Sequence, residues 1–505
     1  MNQMVSTRSA AVLALAIQSL LLFSNLGLLP LWGDELFTLR VSQRPVPQLL
    51  DAVRADVHPP LYFLAQHYWM KLPLASDPII RMRSMTALVT LIASAAVFWF
   101  AWPRLSGPER WWFVALWTVS PCLLLYGRMG RSYSMQLLVA VIAVDRLLKF
   151  LKEPASRRQA LWFALASAVV LYTHYVPGLA LLAAANLIFL WRFRAIRPML
   201  LPNLVVLLLY LPWIATSLHA LGQVARLGEN HRVTGSAAAE HLVTAGYTGM
   251  SFLFGESLPW WLFIVVVLAA PALVWLALKG ASAAGEWRVL VACAAVIGYV
   301  GVSRWVAYSF APARLLFLLP FLYLLVVYGA RVTPRLGNVL LSVWLVACVA
   351  GVWSYFRVDG YMNWGYAVPY RDMVAEITND PRPTVAVAVI FTDASVLRYY
   401  LPPGFRLRSV APRGDPEAAA KVISGSWDRI CLVRNTHQPS TGGYYERLEA
   451  ALGARLSHRK TRYFQPRTAL DTLLVRIAGW PDTVPYVFEF TEFTADSGAS
   501  AASLR

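Results

Sequence analysis

The stretch LWGDELFTLR at residues 31–40 guides the interpretation of the whole chain, because it places the first acidic residues directly after an apolar segment. Residues 10–31 are uncharged and long enough to cross a membrane. Asp34 and Glu35 follow this segment at once, so both carboxylates are predicted to lie at a membrane surface. The apolar run is longer than the core of a signal peptide, and we therefore predict a retained helix with its N-terminus in the cytoplasm.

The composition is typical of a protein that crosses the membrane several times. Of the 505 residues, 58% are hydrophobic and 14% are charged, whereas charged residues make up about 25% of an average soluble protein. The mean hydropathy is +0.52. A net charge of +18 would suggest nucleic acid in a soluble protein, but here much of the excess lies in short loops, where it reports topology. We expect membrane lipids and no nucleic acid among the partners.

About eleven apolar segments are predicted to span the membrane, which makes residues 1–355 a polytopic α-helical membrane domain. Basic loops on one side alternate with less basic connections, and the positive-inside rule then places the N-terminus inside and the C-terminus outside. The predicted spans are residues 10–31, 80–102, 111–127, 133–148, 160–174, 176–191, 199–217, 258–278, 289–306, 312–330 and 337–355.

A long first external loop is predicted over residues 32–80. It contains three short segments that mix apolar and polar residues, and each is predicted as a helix lying in the membrane interface. The pair Asp77-Pro78 has the N-cap acid and first-position proline that are typical of a helix start. A second large external loop is predicted over residues 218–257.

The C-terminal part of the sequence has a different pattern from the membrane domain. Residues 356–480 alternate strand-like and helix-like segments, which predicts an extracytoplasmic, periplasmic α/β domain with mixed or parallel strands. Residues 481–505 lose that pattern, and the last dozen are rich in alanine and serine. We expect the end of this tail to be disordered.

Asp34 and Glu35 are the first candidates for catalysis. A carboxylate at a membrane face can act as a general base toward a hydroxyl group of an acceptor. The same position also suits an acid that caps the following short helix. The two roles are compatible, and both stay open on the sequence alone.

Asp56 and His58 form the second candidate group. They lie two residues apart, directly before Pro59 and Pro60, which restrict the backbone and prevent an earlier helix start. The pair could bind a divalent metal cation or a sugar hydroxyl, and the alternative is a turn with a partly solvated histidine. The sequence has no HExxH, no cysteine pair and no DxD motif, so no other metal site is predicted.

Arg128 and Arg131 flank Gly130 between two predicted spans, on the predicted outer face. Positive charge on that side runs against the topological bias. Two guanidinium groups beside a glycine that lets a ligand approach are a reasonable phosphate site, and Arg314 near the outer end of another span could converge on the same anion. The alternative is that these side chains extend to lipid headgroups.

Three further residues are candidate substrate contacts. Tyr62 lies in the aromatic run after the two prolines, and Tyr133 follows the arginine pair. His174 lies in the tight turn THYVPG at residues 173–178. For a lone histidine of this kind, the alternative is a solvated or structurally satisfied side chain.

Six short motifs follow one another over residues 10–355. They are DE at 34–35, DVHPPLYF at 56–63, RMRSMTALV at 81–89, GRMGRSYSM at 127–135, LYTHYVPG at 171–178 and ARLLFLLP at 313–320. Together they resemble the GT-C membrane glycosyltransferases, and within them the group of bacterial protein O-mannosyltransferases and lipid A aminoarabinose transferases.

The resemblance implies transfer of a sugar from a polyprenyl-phosphate carrier to an acceptor in the cell envelope, with inversion at the anomeric carbon. The reaction would take place at the outer face of a bacterial inner membrane. The chain departs from the aminoarabinose transferases in having His58-Pro59-Pro60 where that pattern has an acidic residue and a lysine. This departure argues against a metal site and against aminoarabinose as the sugar.

The resemblance also implies roles for the candidate residues. Asp34 corresponds to the catalytic base of the first external loop, and Asp56 and His58 lie where the family contacts acceptor, sugar or metal. The three arginines lie where the family binds the lipid phosphate.

Two other interpretations compete with a transferase. Membrane-embedded charge is also typical of transporters, so a polyprenyl-phosphate flippase without transferase activity is the main alternative. Carboxylates just outside the bilayer and a large external domain argue against it. An oligosaccharide ligase or polymerase would also use prenyl-linked donors, but such enzymes lack the early DE and HPPLY pair.

Overall fold

The computed structural model describes residues 2–228, 237–285, 287–305, 308–380, 384–389, 394–410, 415–424, 429–435, 443–456, 458–464 and 488–494. The chain divides into two compact units. The helical unit comprises Met1–Leu28 and Phe37–Arg357, and the α/β unit comprises Leu29–Leu36 and Val358–Arg505. Each unit is described by itself below.

The described part of the helical unit is built almost entirely from helices. They are α1 (Asn2–Phe23), α2 (Gly33–Ser42, which contains the division after Leu36), α3 (Val46–Arg54), α4 (Leu61–Trp69), α5 (Pro78–Ala101), α6 (Gly107–Thr118), α7 (Pro121–Arg128), α8 (Tyr133–Lys152), α9 (Arg157–Thr173), α10 (Tyr175–Phe193), α11 (Arg197–Gly228), α12 (Ala237–Phe254), α13 (Phe263–Ala283), α14 (Trp287–Trp305), α15 (Ala311–Leu315), α16 (Leu319–Val332) and α17 (Pro334–Arg357).

Within the described residues, six helices are long and apolar enough to cross a membrane. They are Pro78–Arg104, Tyr175–Phe193, Arg197–Ala220, Trp260–Ser282, Ala311–Val332 and Pro334–Arg357. Two shorter apolar helices are Ser9–Phe23 and Trp287–Ser303. The protein is therefore a multi-pass membrane protein, and the count of about eleven spans stays a prediction.

Two of the predicted spans differ from the helices in instructive ways. The segment 111–127 is interrupted, because α6 ends at Thr118 and α7 begins at Pro121, with the Ser120 hydroxyl accepting from the Leu123 amide at 3.3 Å. Proline at the first helical position suits a new start and cannot continue the preceding helix. The span predicted at 133–148 is part of α8, which continues to Lys152 with charged residues in its last two turns.

The segment predicted as the first external loop contains the short helices α2, α3 and α4. Leu49 and Val53 on α3 and Tyr62 and Phe63 on α4 are buried together with Met85 of α5. These helices are thus held by apolar contacts on the helical unit. Helix α5 begins as predicted, since the Asp77 side chain accepts from the Ile79 amide at 2.7 Å and Pro78 is the first helical residue.

The segment 218–257 is more helical than its description as a loop suggested. Helix α11 continues to Gly228, and α12 covers Ala237–Phe254. Residues 229–236 lie outside the described part of the chain. The last residues of this segment, Gly255, Glu256 and Ser257, form a buried turn.

The described part of the α/β unit contains a five-stranded mixed sheet with the order β2-β1-β3-β5-β4. The pairs β1–β2 and β1–β3 are parallel, and the pairs β3–β5 and β4–β5 are antiparallel. The elements are α18 (Tyr370–Thr378), β1 (Thr384–Val389), α19 (Ala394–Tyr400), β2 (Arg406–Val410), α20 (Pro416–Ser424), β3 (Arg429–Asn435), α21 (Tyr444–Gly453), β4 (His458–Phe464) and β5 (Phe488–Thr494).

The first three strands lie where the sequence pattern predicts strands, but β4 and β5 do not. β4 is an edge strand of mostly basic residues, HRKTRYF, and so lacks the apolar alternation of a buried strand. β5 lies inside the tail 481–505, where we predicted a loss of pattern; that expectation is wrong for these seven residues. A further strand-like segment, ALDTLLVRIA at 469–478, lies outside the described residues.

Candidate active site

Asp56, His58 and Arg131 form a chain of hydrogen bonds in the helical unit. Nδ1 of His58 lies 2.7 Å from Oδ2 of Asp56, and Nε2 of His58 lies 2.7 Å from a terminal guanidinium nitrogen of Arg131. An arginine side chain can only donate hydrogen bonds. Nε2 of His58 therefore accepts from Arg131, the ring is neutral, and Nδ1–H donates to the Asp56 carboxylate.

The neighbours of Asp56 keep it ionised. Burial alone raises the pKa of this carboxyl, but the hydrogen bonds from His58 and the Val57 amide, together with the positive charge of Arg131, lower it below its ordinary value. The carboxylate is thus a fixed negative charge that orients the imidazole, in the way a carboxylate selects the tautomer of a catalytic histidine.

Arg131 is held on a second side by helix α2. Its guanidinium donates to the Thr38 hydroxyl at 3.1 Å, and only 2% of the residue is exposed. Its position in the chain, between α7 and α8, brings it to a histidine 73 residues away. The two parts of the predicted first external loop around Thr38 and around His58 are therefore joined through one arginine.

Arg128 has a different environment, although it lies only three residues earlier. Its guanidinium donates to the carbonyl oxygens of Leu21 at 3.0 Å and of Ser24 and Asn25 at 2.6 Å. The first belongs to the last turn of α1, where a helix leaves its acceptors unsatisfied, and the other two follow that turn directly. The guanidinium also lies over the Tyr355 ring, with 5.1 Å to its centroid. These contacts assign Arg128 to capping α1.

Gly130 between the two arginines is covered by protein. A Cβ atom at this position would lie 2.5 Å from Cε of Met82. The glycine thus permits close packing of the loop against α5. Close packing is therefore a sufficient reason for glycine at this position. On the sequence, we had explained the glycine by a ligand that approaches the backbone.

Arg314 and His174 are neighbours of the Asp56 chain from other helices. His174 is the N-cap of α10, where its Nδ1 accepts from the Val176 amide at 3.3 Å. Burial holds the pKa of His174 well below its usual value, and the positive charges of Arg314 and Arg131 act in the same direction. His174 is therefore neutral, with its hydrogen on Nε2.

Arg314 is half-buried and forms, within the described residues, one hydrogen bond, from its guanidinium to the Phe310 carbonyl at 3.0 Å. That bond lies inside its own helical turn. Among the three predicted phosphate ligands, Arg314 has the smallest number of described protein partners and is the best placed to accept an anion.

The two candidate tyrosines are buried. The Tyr62 hydroxyl lies 3.2 Å from the Thr86 hydroxyl, and the side chain belongs to the apolar cluster under α3 and α4. Tyr133 packs edge-on against Tyr126, with 5.7 Å between the ring centroids. Tyr62, which we predicted as a substrate contact, thus also has a packing role. The sequence alone could not distinguish the two roles.

Asp34 and Glu35 lie in the first turn of α2. Carboxylates are favourable there because the free amide groups of the turn carry partial positive charge. Asp34 is partly exposed, whereas Glu35 is 1% exposed. Of the two predicted catalytic acids, Asp34 is the one that a solvent-borne group could reach.

The residues predicted to hold a divalent metal do not fit one. Both ring nitrogens of His58 are engaged, one by Asp56 and the other by a guanidinium cation at 2.7 Å. A metal ligand must offer a lone pair to the cation, and a second cation at that distance opposes it. Nor does the described part of the chain contain a group of three or more potential ligands.

One buried acid was missed on the sequence. Glu256, in the turn between α12 and α13, is 0% exposed and accepts from the hydroxyls of Tyr126 and Tyr247 and from that of Ser251 at 2.9 Å. Burial raises its pKa to about 7, against the effect of the three hydroxyls. The signal was present: FLFGESLPW contains a single acid among apolar residues.

The backbone before Glu256 explains how the acid becomes buried. Gly255 has a φ of +80° and a Cβ atom there would lie 2.4 Å from Cβ of Pro121. Only glycine combines this left-handed conformation with such close packing. The turn is therefore fixed against the start of α7, the helix that also carries Tyr126 and ends at Arg128.

The fold defines a class, that of multi-pass membrane proteins with a fold similar to that of ArnT. By sequence, no protein family and no curated protein matches the chain. By structure, it resembles ArnT from Cupriavidus metallidurans in the apo state, with a TM-score of 0.54 and 12% identity over 97% of this chain and 98% of that one. ArnT bound to undecaprenyl phosphate gives a TM-score of 0.51 and 12% identity, over 95% and 97%. The predicted resemblance is thereby confirmed at the level of the fold.

Proposed function

We propose that the protein is an inverting glycosyltransferase that moves a sugar from a polyprenyl-phosphate donor to a lipid, glycan or protein of the cell envelope. The observation that carries this proposal is the ArnT fold over 97% of the chain. The ArnT structure bound to undecaprenyl phosphate supplies the donor class. A cluster of buried and half-buried arginine, histidine and carboxylate side chains in the helical unit supports a site for an anionic substrate.

In the proposed reaction an acceptor hydroxyl oxygen forms a bond to the anomeric carbon of the sugar. The bond between that carbon and the phosphate oxygen breaks, and the polyprenyl phosphate leaves with the electron pair. Asp34 takes the proton of the hydroxyl as general base. For Asp34 the support is its position in the sequence after the first apolar helix, its place in the first turn of α2 and its partial exposure.

Positive charge must compensate the phosphate as it leaves. We assign this role to Arg314 and Arg131. Arg314 is half-buried with one described hydrogen bond, and Arg131 donates to a neutral imidazole that a phosphate oxygen can replace. Arg128, bound to three carbonyls at and directly after the end of α1, keeps the loop between α7 and α8 in place.

The proposed setting is the outer face of a bacterial inner membrane, with the N-terminus in the cytoplasm and the C-terminal domain in the periplasm. The basic loops of the sequence support this orientation. Single cysteines introduced into the α/β unit should react with a membrane-impermeant reagent in spheroplasts. Protection of these cysteines would reverse the proposed orientation.

The proposal is tested with purified protein in lipid, a panel of radiolabelled undecaprenyl-phosphate sugars and an envelope extract as acceptor. We expect label transfer by the wild-type protein and a loss of at least about a hundredfold in Asp34→Asn, with donor binding retained. Asp51→Asn is the matched control, since Asp51 is an exposed acid of the neighbouring helix α3 that pairs only with Arg54 among the described contacts.

Two outcomes would contradict the proposal. Transfer from no donor, together with movement of undecaprenyl phosphate across vesicles, would support a flippase. Full activity of Asp34→Asn would be consistent with a transferase but would show that Asp34 is not its general base.

A further inference from the structure

Two buried polar atoms on one face of α8 lack hydrogen-bond partners within the described structure. They are the hydroxyl of Tyr133 and Oε1 of Gln136. The two residues are 2% and 0% exposed. Residues three apart on a helix are neighbours on its surface, so both atoms belong to one small region next to α7 and α15.

The orientation of the Gln136 amide follows from its contact with α15. Its Nε2 donates to the carbonyl oxygen of Ala313, the residue before Arg314. A carbonyl can only accept, so the NH2 group must face Ala313 and Oε1 must face away from it. Gln136 is therefore anchored to the segment that carries the half-buried Arg314, with its unpartnered acceptor turned away from the Ala313 carbonyl.

The Tyr133 ring is supported by packing and by a hydrogen-bonded network. Its ring packs edge-on against Tyr126, and the Tyr126 hydroxyl donates to Glu256. Glu256 is fixed in turn by Ser251 and Tyr247. Tyr133 is thus supported by a hydrogen-bonded network on one side, while its own hydroxyl stays without a partner in the described part of the chain.

Buried polar atoms without partners cost free energy, and native proteins therefore satisfy nearly all of them with protein, water or ligand. Here the missing partners must offer a hydrogen to Oε1 of Gln136 and either donate to or accept from the Tyr133 hydroxyl. Adjacent hydroxyl groups on a sugar ring meet both requirements. Both side chains are uncharged, so neither can compensate the charge of a buried ammonium group.

We propose that Tyr133 and Gln136 form a subsite for the hydroxyl groups of the transferred sugar, and that this sugar is a neutral hexose or pentose. The inference rests on the proposed function, since it deepens the description of the same donor site. Gln136 would act as an acceptor for one ring hydroxyl, and Tyr133 would bind its neighbour. The adjacent Arg314 would hold the phosphate to which the sugar is attached.

The test compares two lipids that differ only in the sugar. Binding of bare undecaprenyl phosphate and of undecaprenyl-phosphate hexoses and pentoses is measured for the wild-type protein and for Tyr133→Phe and Gln136→Leu. We expect each variant to bind the glycosylated lipid about 5- to 50-fold more weakly, with the affinity for the bare lipid changed less than about twofold. Gln159→Leu is the matched control, since Oε1 of Gln159 is also buried and unpartnered but lies at the start of α9, on the predicted cytoplasmic side.

The outcomes separate the subsite from the function on which it rests. Equal weakening of both lipids, or no change in either, would overturn the subsite and leave a packing role for the two residues. A wild-type protein that transfers sugar but whose variants keep full affinity for the donor would overturn the subsite alone. A wild-type protein that neither distinguishes the two lipids nor transfers any sugar would overturn both proposals.

A second variant tests the choice of a neutral sugar. Gln136→Glu places a carboxylate at the same position with nearly the same size. We expect its affinity for an undecaprenyl-phosphate amino sugar to rise relative to that for the neutral donor, by about tenfold. A wild-type protein that already prefers the amino sugar would overturn the assignment of a neutral sugar.

Discussion

Asp56 and Glu256 are two carboxyl groups of the helical unit, the first half-buried and the second fully buried, and their pKa values move in opposite directions. Asp56 contacts the imidazole of His58 and lies near the Arg131 cation, and its pKa falls although burial alone would raise it. Glu256 contacts three hydroxyl groups, and its pKa rises to about 7 because burial dominates. The comparison teaches that charged partners and partial exposure keep one acid ionised, whereas full burial among neutral hydroxyl groups raises the pKa of the other.

The two acids therefore have different uses. Asp56 is a permanent charge that orients His58 and, through it, Arg131. Glu256 is a proton-sensitive acceptor that holds Tyr126 in place against Tyr133. Asp56 is suited to positioning groups around an anion. Glu256 is suited to fixing the Tyr126 and Tyr133 side chains beside it.

The largest effect that tests this comparison is the loss of Glu256. Glu256→Ala removes the acceptor of three hydroxyl groups, two of them on buried residues, so we expect the free energy of unfolding to fall by at least about 3 kcal/mol. Glu256→Gln keeps an acceptor oxygen and should cost about 1 kcal/mol. Thermal unfolding of the purified proteins in one detergent measures both. Equal loss in the two variants would mean that size, and not the acceptor, matters at this position.

The next effect concerns the charge of Asp56. Asp56→Asn removes the negative charge and replaces one acceptor oxygen with an NH2 group, so the tautomer of His58 that accepts from Arg131 is no longer enforced. We expect the transfer rate to fall about 10- to 100-fold, with the thermal stability nearly unchanged. Asp51→Asn on α3 is again the control. A variant that keeps its activity would show that the chain from Asp56 to Arg131 has no part in the reaction.

A smaller effect is the dependence of stability on pH. The pKa of Glu256 is higher in the folded protein than in the unfolded chain, so the folded state binds more protons between about pH 4.5 and 7. Stability is then lost as the pH rises through this window, by at most about 1.4 kcal/mol per pH unit. Melting temperatures across pH 4.5–8 should show a steeper decline for the wild type than for Glu256→Gln. Parallel curves would assign Glu256 an ordinary pKa.

The smallest effect extends the comparison to a buried base. His174 is neutral and caps α10, and asparagine is also a good N-cap. His174→Asn should change stability by no more than about 0.5 kcal/mol, while the KM for the donor rises by about two- to fivefold because the Nε2–H group is lost. Donor kinetics and thermal melts on the same preparation check both. An unchanged KM would limit His174 to capping.

Local features of the chain could be predicted from the sequence because they depend on near neighbours. The helix start at Asp77-Pro78 is one such feature, and the proximity of Asp56 to His58 is another, since two prolines follow them directly. The break after Thr118 was missed because Ser120-Pro121 lies within a continuous apolar run. The apolar pattern dominated the prediction, although the proline had already marked the boundary.

The candidate site required contacts that no local pattern encodes. Arg128 and Arg131 looked equivalent on the sequence, yet one binds carbonyls more than 100 residues away and the other binds a histidine 73 residues away. Glu256 likewise gained its role only through Tyr126, which lies 130 residues earlier. The type of a residue and its position in the chain do not identify partners that are distant in sequence.

The sequence by itself determined that this is a membrane protein with carboxylates after the first apolar segment, because hydropathy and short-range backbone restrictions are properties of consecutive residues. Only the tertiary structure decided which arginine caps a helix and which faces the candidate site. It also decided that Asp56 is charged while Glu256 binds a proton near neutral pH, since burial and hydrogen-bond partners arise from packing between distant helices.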